Sequence, residues 1–374
     1  MVRLKLGMVG GGQGAFIGGV HRIAARLDGC YELVAGAFAS DSLRAHVSAA
    51  ELGVSVDRSY DNYSDMAKAE SARPDGIDVV SIVTPNHLHG PIAEAFLAQN
   101  IHVICDKPMT ATLAQAESLM AAAAVSDASF FLTHNYTAYP MIRQAQQMVN
   151  EGALGDIQIV EANYLQDWLS EVPKTDNKQA MWRTDPIQSG GGAIGDIGTH
   201  AYNLVCFVTG LRTKTLNATL HTHVAGRAVD DDARITLHFH GGARGHIWAS
   251  QVAVGNENNL TLAVYGTKGS IRWSQENPNN LWFSKLGAAP QMFTRGGGSS
   301  YPSAAAVTRI PAGHPEGYLE AFATLYREAA EVIIASGKTT HQSAVIGIEQ
   351  GFEGVRFVDA CQRSSKAHSA WVAL

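Results

Sequence analysis

Three short segments hold residues whose types and spacing suit proton transfer and phosphate binding. In Gly190-Gly191-Gly192-Ala193-Ile194-Gly195-Asp196-Ile197-Gly198-Thr199-His200, a carboxylate and an imidazole stand four residues apart. That is one helical turn, so both side chains share a face if the helix has begun by Asp196. A histidine is the natural acceptor of a hydroxyl proton near neutral pH, and an aspartate beside it can orient the ring or share the hydroxyl. The same pair suits a zinc ion, although no third ligand is apparent, and it equally describes a helix N-cap followed by a buried histidine.

The second segment, Cys105-Asp106-Lys107-Pro108, ends an expected strand. A lysine at the C-terminal edge of a parallel sheet lies where such sheets bind ligands. Its ammonium can stabilise the charge left on a hydroxyl oxygen, though a plain surface lysine is the commoner fate of the residue type. In the third, Gly10-Gly11-Gly12-Gln13-Gly14-Ala15-Phe16-Ile17-Gly18 follows the first apolar run. Gly10-x-Gly12-x-x-Ala15 fits the dinucleotide fingerprint, and Gly18 serves as its third glycine if the loop is longer than usual. Glycine permits the tight turn, and the helix that follows offers free N–H groups to a pyrophosphate.

Positioning these groups requires a parallel sheet and a second domain. The first ~130 residues alternate apolar runs (4–9, 32–38, 78–83, 102–105, 129–133) with amphipathic stretches (20–27, 43–52, 88–99, 113–124), the pattern of βαβ units. Beyond Tyr136 come a helix over 141–150, a strand over 157–164, a loop over 170–179 and a helix over 199–207. Strands are expected at 221–224, 233–239, 246–252 and 260–264, and closing helices at 317–335 and 345–361. The reading is an α/β domain over 1–133, a doubly wound parallel sheet, followed by an α+β domain over 134–374 with a large, mostly antiparallel sheet.

Composition narrows the partners. A chain of 374 residues with formal charge −6 and no run of Lys or Arg argues against nucleic acid or an acidic membrane surface. No window of ~20 apolar residues exists for a membrane span, and four scattered cysteines without CxxC pairing fit a reducing cytoplasm. At the end of the second strand no carboxylate stands directly in place to hold a ribose hydroxyl. Ser40 and Arg44 suit a 2′-phosphate, while Asp41 also reads as a helix cap. The cofactor is thus NAD or NADP, with NAD preferred. Tyr136, Asp167, Trp168, Trp182 and Arg183 are candidates to line a substrate cleft, the aromatics equally readable as core. His314 stands in a loop with its role open, Asp230-Asp231-Asp232 reads as a solvated turn, and the histidines at 221, 223, 238, 240 and 246 as sheet-surface residues rather than metal ligands.

Taken together, these segments resemble the glucose–fructose oxidoreductase/inositol dehydrogenase (Gfo/Idh/MocA) family over essentially the whole chain. The glycine loop followed by His21, the Thr84-Pro85-Asn86-His87-Leu88-His89 stretch, Asp106-Lys107-Pro108 and Gly190–His200 all carry the likeness. In the second of these the family's Glu-Lys-Pro appears with Asp in place of Glu. By that resemblance Gly10, Gly12, Gln13, Ala15, Phe16, Ile17, Ser40, Arg44, Thr84, Pro85, Asn86, His89, Asp106 and Lys107 bind the dinucleotide. His200 is then the acid/base, Lys107 and Asp196 polarise the reacting hydroxyl of a sugar, polyol or glycoside, and hydride passes to nicotinamide without a metal. Asn203 stands where many polyol dehydrogenases of the family have a second aspartate, which changes the substrate's contacts. A homodimer or homotetramer is implied. Two alternatives share the machinery: an NAD-dependent glycoside hydrolase that oxidises, eliminates and re-reduces, and a non-catalytic nucleotide-sensing regulator.

Overall fold

Short runs of Val, Ile, Leu and Ala form the early strands that their spacing predicts. A computed structural model describes residues 3–173, 177–335 and 344–374. In chain order it contains β1 (Leu4–Gly10), α1 (Phe16–Leu27), β2 (Tyr31–Ala37), α2 (Ser42–Glu51), α3 (Tyr63–Ala72), β3 (Val79–Val83), α4 (His89–Leu97), β4 (His102–Cys105), α5 (Leu113–Ala124), β5 (Phe130–Leu132), α6 (Pro140–Asn150) and β6 (Ile157–Leu165). Two short helices follow, α7 (Lys178–Arg183) and α8 (Pro186–Ser189), then a π-helical turn (Ile194–Gly198) running into α9 (Thr199–Thr209). The rest comprises β7 (Thr213–His221), β8 (Asp232–Phe239), β9 (Arg244–Ser250), β10 (Asn259–Gly266), β11 (Gly269–Ser274), β12 (Asn280–Lys285), β13 (Gln291–Thr294), α10 (Pro302–Ala305), α11 (Tyr318–Ile334), α12 (Ile348–Lys366) and β14 (Val372–Ala373).

The chain divides into two units: residues 1–134 with 318–353, and residues 135–317 with 354–374. The first segment of the first unit ends at His134. The segment 318–353 joins the first unit rather than continuing the second, because α11 packs on α1. Its Phe322, Tyr326 and Ala329 share a core with Leu4, Leu6, Val79 and Ile104.

In the first unit five parallel strands run in the order β2-β1-β3-β4-β5. The order reverses at β1, which puts the C-terminal ends of β1 and β3 at the switch point where such sheets take ligands. The glycine loop, the Thr84 stretch and Asp106-Lys107 leave from those ends of β1, β3 and β4.

The second unit is a nine-stranded sheet in the order β13-β12-β11-β10-β6-β9-β8-β7-β14. All its pairings are antiparallel except β6 with β9. Alternating burial along β8, β10 and β11 turns one face to the core, where α6 and α9 lie against it. No strand forms at 221–224: residues beyond His221 turn so that the N–H groups of His223 and Val224 reach the Asp231 carboxylate. Of the expected loop over 170–179, residues 174–176 lie outside the described residues, and α7 begins at Lys178. Among the described residues no helix is long and apolar enough to cross a membrane.

Helix α9, which carries His200, is held by Tyr202 stacked face to face on Phe357 of α12, with ring centroids 4.0 Å apart and both rings buried. Phe357→Ala removes that partner and leaves a cavity beneath α9, and should destabilise the protein by about 3–5 kcal/mol in urea unfolding. A change under about 1 kcal/mol would show that the stack does not anchor the helix.

Candidate active site

The glycine loop shows which of its residues do what. Gly10 and Gly11 take positive φ (81° and 72°), which L side chains rarely adopt. A Cβ on Gly18 would lie 2.4 Å from Gly11 Cα, so Gly18 is the position where helix and loop must touch. Of the two readings of the fingerprint, the longer one therefore matches the packing, and Ala15 sits outside the helix as the extended N-cap of α1. Ala15 supplies no side-chain cap, whereas α2, α3 and α5 are capped by Asp41, Asn62 and Thr112. The N–H groups of Gly12, Gln13 and Ala15 are committed to Phe38 O, Ser48 Oγ and Gly12 O. The Gln13 side chain reaches Glu51. Ile17 packs into the core, and Phe16 is 68 % exposed at the helix start.

A groove of about 370 Å³ runs along Gly11–Phe16, walled by Arg22, Ser48, Glu51 and Leu52. An uncapped helix N-terminus behind a glycine turn, opening on a groove, fits a pyrophosphate. Arg22, which the sequence did not single out, donates to Gly11 O at 2.6 Å and pins the loop. At the end of β2, Asp41 accepts from Arg44 N at 2.8 Å, so it does cap α2, while Ser40 and Arg44 are exposed at the same corner.

Beyond β3 the chain passes through Thr84, Pro85 and Asn86 to His89, which is fully buried. One His89 nitrogen lies 2.7 Å from Pro108 O and the other 2.8 Å from Thr84 O. His89 thus ties the β3 and β4 loops together, and burial foremost lowers its pKa. Asp106 lies at the end of a buried polar chain. Tyr326 Oη, Ser81 Oγ and His21 Nδ1 contact one another at 2.8–3.3 Å, and His21 Nε2 stands 3.6 Å from Asp106 Oδ1, an electrostatic contact rather than a hydrogen bond. Thr133 Oγ1 donates to the same oxygen at 2.8 Å. Burial alone would raise the Asp106 pKa, but His21, Lys107 and His89 outweigh it and hold the carboxyl well below the usual range. Lys107 is half-buried next to it. His134 is pushed down to about 3 by burial and by Lys107, so it stays neutral beside that ammonium.

In the second unit, Asp196 sits in the π-helical turn and His200 in the first turn of α9, within one continuous helical run. Single π turns inside helices recur at functional sites. Asp196 Oδ2 accepts from Gln251 Nε2 at 2.9 Å and faces Arg183 Nε at 3.3 Å. The Arg183 guanidinium lies over the Trp182 ring at 4.2 Å and the Trp168 ring at 5.9 Å. His200 is 6 % exposed, with the Tyr136 ring edge-on at 4.8 Å and Tyr164 at 6.1 Å. The two tyrosine hydroxyls meet at 2.6 Å, and Asn258 contacts both. Burial chiefly raises the Tyr136 pKa, with the Asp196 charge adding to it, so the phenol remains protonated.

Tyr136 and His200 form one group and Trp168, Trp182, Arg183 and Asp196 another, the two joined by hydrogen bonds from Trp168 through Gln166 and Asn258 to Tyr136, while Asn203 is buried further along α9. Asp167 is turned aside, its carboxylate accepting from Gly255 N at 3.0 Å. His314 is exposed. Tyr164, Gln251 and Asn258 belong to these groups, and the sequence did not single them out, since each lies in or next to an ordinary-looking strand.

The triple aspartate is not a solvated turn. Asp230 accepts from Gly192 N and Ile194 N; Asp231, fully buried, pairs with Arg227; Asp232 accepts from Trp248 Nε1. Among the described residues no cluster of three or more His, Cys, Asp or Glu is arranged to hold a metal.

Comparison with known proteins gives both family matches and individual relatives. Residues 4–134 match a family model described as an oxidoreductase family with an NAD-binding Rossmann fold, and residues 142–272 match the GFO/IDH/MocA C-terminal domain. The crystal structure of an oxidoreductase from Sinorhizobium meliloti is 49% identical, covers all of both chains and superposes with a TM-score of 0.91. An inositol dehydrogenase homolog from Azotobacter vinelandii, complexed with NADH and myo-inositol, is 35% identical over 100% of this chain and 98% of its own, with a TM-score of 0.93. A levoglucosan dehydrogenase from Pseudarthrobacter phenanthrenivorans is 29% identical over 75% of this chain and 76% of its own.

The loop packing makes a direct prediction. Gly18→Ala forces Gly11 and α1 apart, an overpacking cost that corresponds to a roughly tenfold or greater loss of NADH affinity in a fluorescence titration. Unchanged affinity would mean that this contact does not shape the dinucleotide site.

Proposed function

Because the chain belongs to the GFO/IDH/MocA oxidoreductase family, we propose that it moves hydride between a hydroxyl carbon of a sugar or polyol and NAD(P), with His200 as acid/base and Lys107 and Asp196 at the reacting oxygen. The substrate class rests on the relatives that take myo-inositol and levoglucosan. The observation that carries the residue assignment is the pairing of Asp196 and His200 on one helical run, the first pinned by Gln251 and Arg183 and the second walled by tyrosines.

When bound, the nicotinamide supplies the hydride acceptor. The protein's own groups manage the proton. The His200 imidazole takes the hydroxyl proton, and buried aromatic walls limit its access to bulk water. The Asp196 carboxylate, fixed at Oδ2, orients the substrate hydroxyl and favours the imidazolium that forms. The Lys107 ammonium stabilises the oxygen as its proton leaves, and neutral His134 adds no competing charge beside it. The Trp168–Arg183–Trp182 stack offers aromatic faces to the C–H surface of a ring, with Arg183 itself engaged by Asp196. At the end of β2, Ser40 and Arg44 read the 2′ position of the adenine ribose, with NAD the preferred form.

Removing a general base or a charge stabiliser costs about 10²–10⁴ in turnover. His200→Ala and Lys107→Met should each fall in that range in steady-state assays, with NADH affinity changed by less than about threefold, under 1 kcal/mol. Near-native turnover in both variants would sink the assignment.

A further inference from the structure

The head of the helical run that carries Asp196 and His200 is closed by a residue far away in sequence. Asp230 Oδ1 accepts from Gly192 N at 2.9 Å, and Oδ2 accepts from Ile194 N at 2.8 Å. Its carbonyl oxygen accepts from Ala193 N, also at 2.9 Å. Three successive backbone donors at a helix start thus end on one residue, where the local N-cap positions, Ala193 and Gly198, provide no side-chain cap. Gly192 is required for this approach, since a Cβ there would sit 1.7 Å from Asp230 O. Gln362 Nε2 secures the other end of the glycine run through Gly190 O at 2.9 Å.

We propose that Asp230 is a positioning residue for the Asp196–His200 pair: ionised, it caps the 190–200 segment and holds the pair in working geometry, and on protonation it releases that geometry. The inference rests on the roles proposed for Asp196 and His200. A carboxylate accepts at both oxygens, whereas a carboxyl carries a proton on one of them, which then confronts an N–H donor. One of the two caps is lost.

The switch falls in an accessible range, because burial pushes Asp230 up to about 6 against the opposing pull of the Ile194 and Gly192 N–H groups. Two titratable neighbours face it. Asp231, next in the chain, adds to the rise and is itself paired with Arg227. On α12 the Cys361 thiol is pushed well up by burial and by the Asp230 charge, so it stays neutral. For a carboxyl raised above its unfolded value, the stabilising contribution is present below the unfolded pKa and lost as pH rises through about 6. Losing the Gly192 and Ile194 N–H groups while the carboxyl stays buried removes what lowers its pKa, so protonation favours the released segment even though the fold as a whole loses stability as pH rises through about 6.

The test compares native protein and Asp230→Asn, both NAD-loaded, between pH 5 and 8. It reads kcat for oxidation of a polyol and hydrogen exchange of the 190–200 segment, corrected for intrinsic exchange rate. Loss of a charge-assisted hydrogen bond predicts a native-to-variant kcat ratio of about tenfold at pH 8 that shrinks to less than about twofold at pH 5. Exchange of the segment should rise several-fold in the native protein on going from pH 8 to 5, and be high and flat in the variant. A ratio independent of pH, or flat native exchange, overturns the proposal. Native exchange alone decides the matter if the variant does not fold. If the native protein oxidises no polyol or sugar, the proposed function fails, and the exchange measurement still judges the cap.

Discussion

Backbone N–H groups withdrawn from water must find an acceptor, and this requirement shapes both glycine-rich segments of the protein. Glycine lets a chain turn tightly at a helix start, and each such start leaves donors without partners. In the first unit the turn at Gly10–Gly18 leaves the start of α1 without a side-chain cap and open to a groove. A phosphate is the kind of acceptor that such an open helix start suits. In the second unit the Gly192, Ala193 and Ile194 donors are closed from within by Asp230. Two similar sequences thus end differently: one leaves its helix start without a side-chain cap beside a groove, and the other has its helix start closed from within.

The groups proposed for chemistry are placed by side chains that do none themselves. In the first unit a buried chain of Tyr326, Ser81 and His21 ends beside Asp106, and His89 ties the β3 and β4 loops. The His21 contact to Asp106 stands at 3.6 Å. In the second unit Gln251 and Arg183 fix Asp196, and the Arg183 guanidinium in turn lies over the rings of Trp182 and Trp168. Satisfied polar networks in a low-dielectric interior are rigid because every broken bond leaves an unpaired group.

Much of this was legible in the sequence wherever the cause is local. Strand β4 and helix α5 fall at the expected residues, and β1, β2, β3, β8 and α9 within two or three, because apolar periodicity and capping residues such as Thr112 act over a few positions. The motifs carrying Lys107, Asp196 and His200 were visible as spaced residue types. Helix α3 was missed because it has no sharp apolar stripe, and β12 and β13 because Asn, Ser, Lys and Gln interrupt their pattern. The triple aspartate misled for a different reason. Three adjacent carboxylates read as a solvated turn, yet Asp231 pairs with Arg227 four residues before it, and the partners of Asp230 and Asp232 lie at Gly192 and Trp248, which only the tertiary fold brings near. The return of 318–353 to the first unit was hidden likewise, since no local feature of α11 says which sheet it will cover.

The most direct measurement is a paired assay of the purified protein on a panel of polyols, sugars and glycosides with added NAD or NADP. It follows nicotinamide absorbance and product release in the same reaction. The account predicts absorbance rising in step with oxidation of a polyol or sugar, with NAD favoured over NADP. Cofactor-dependent release of free sugar from a glycoside, without any such rise, would contradict it and mean that the hydride returns to the substrate.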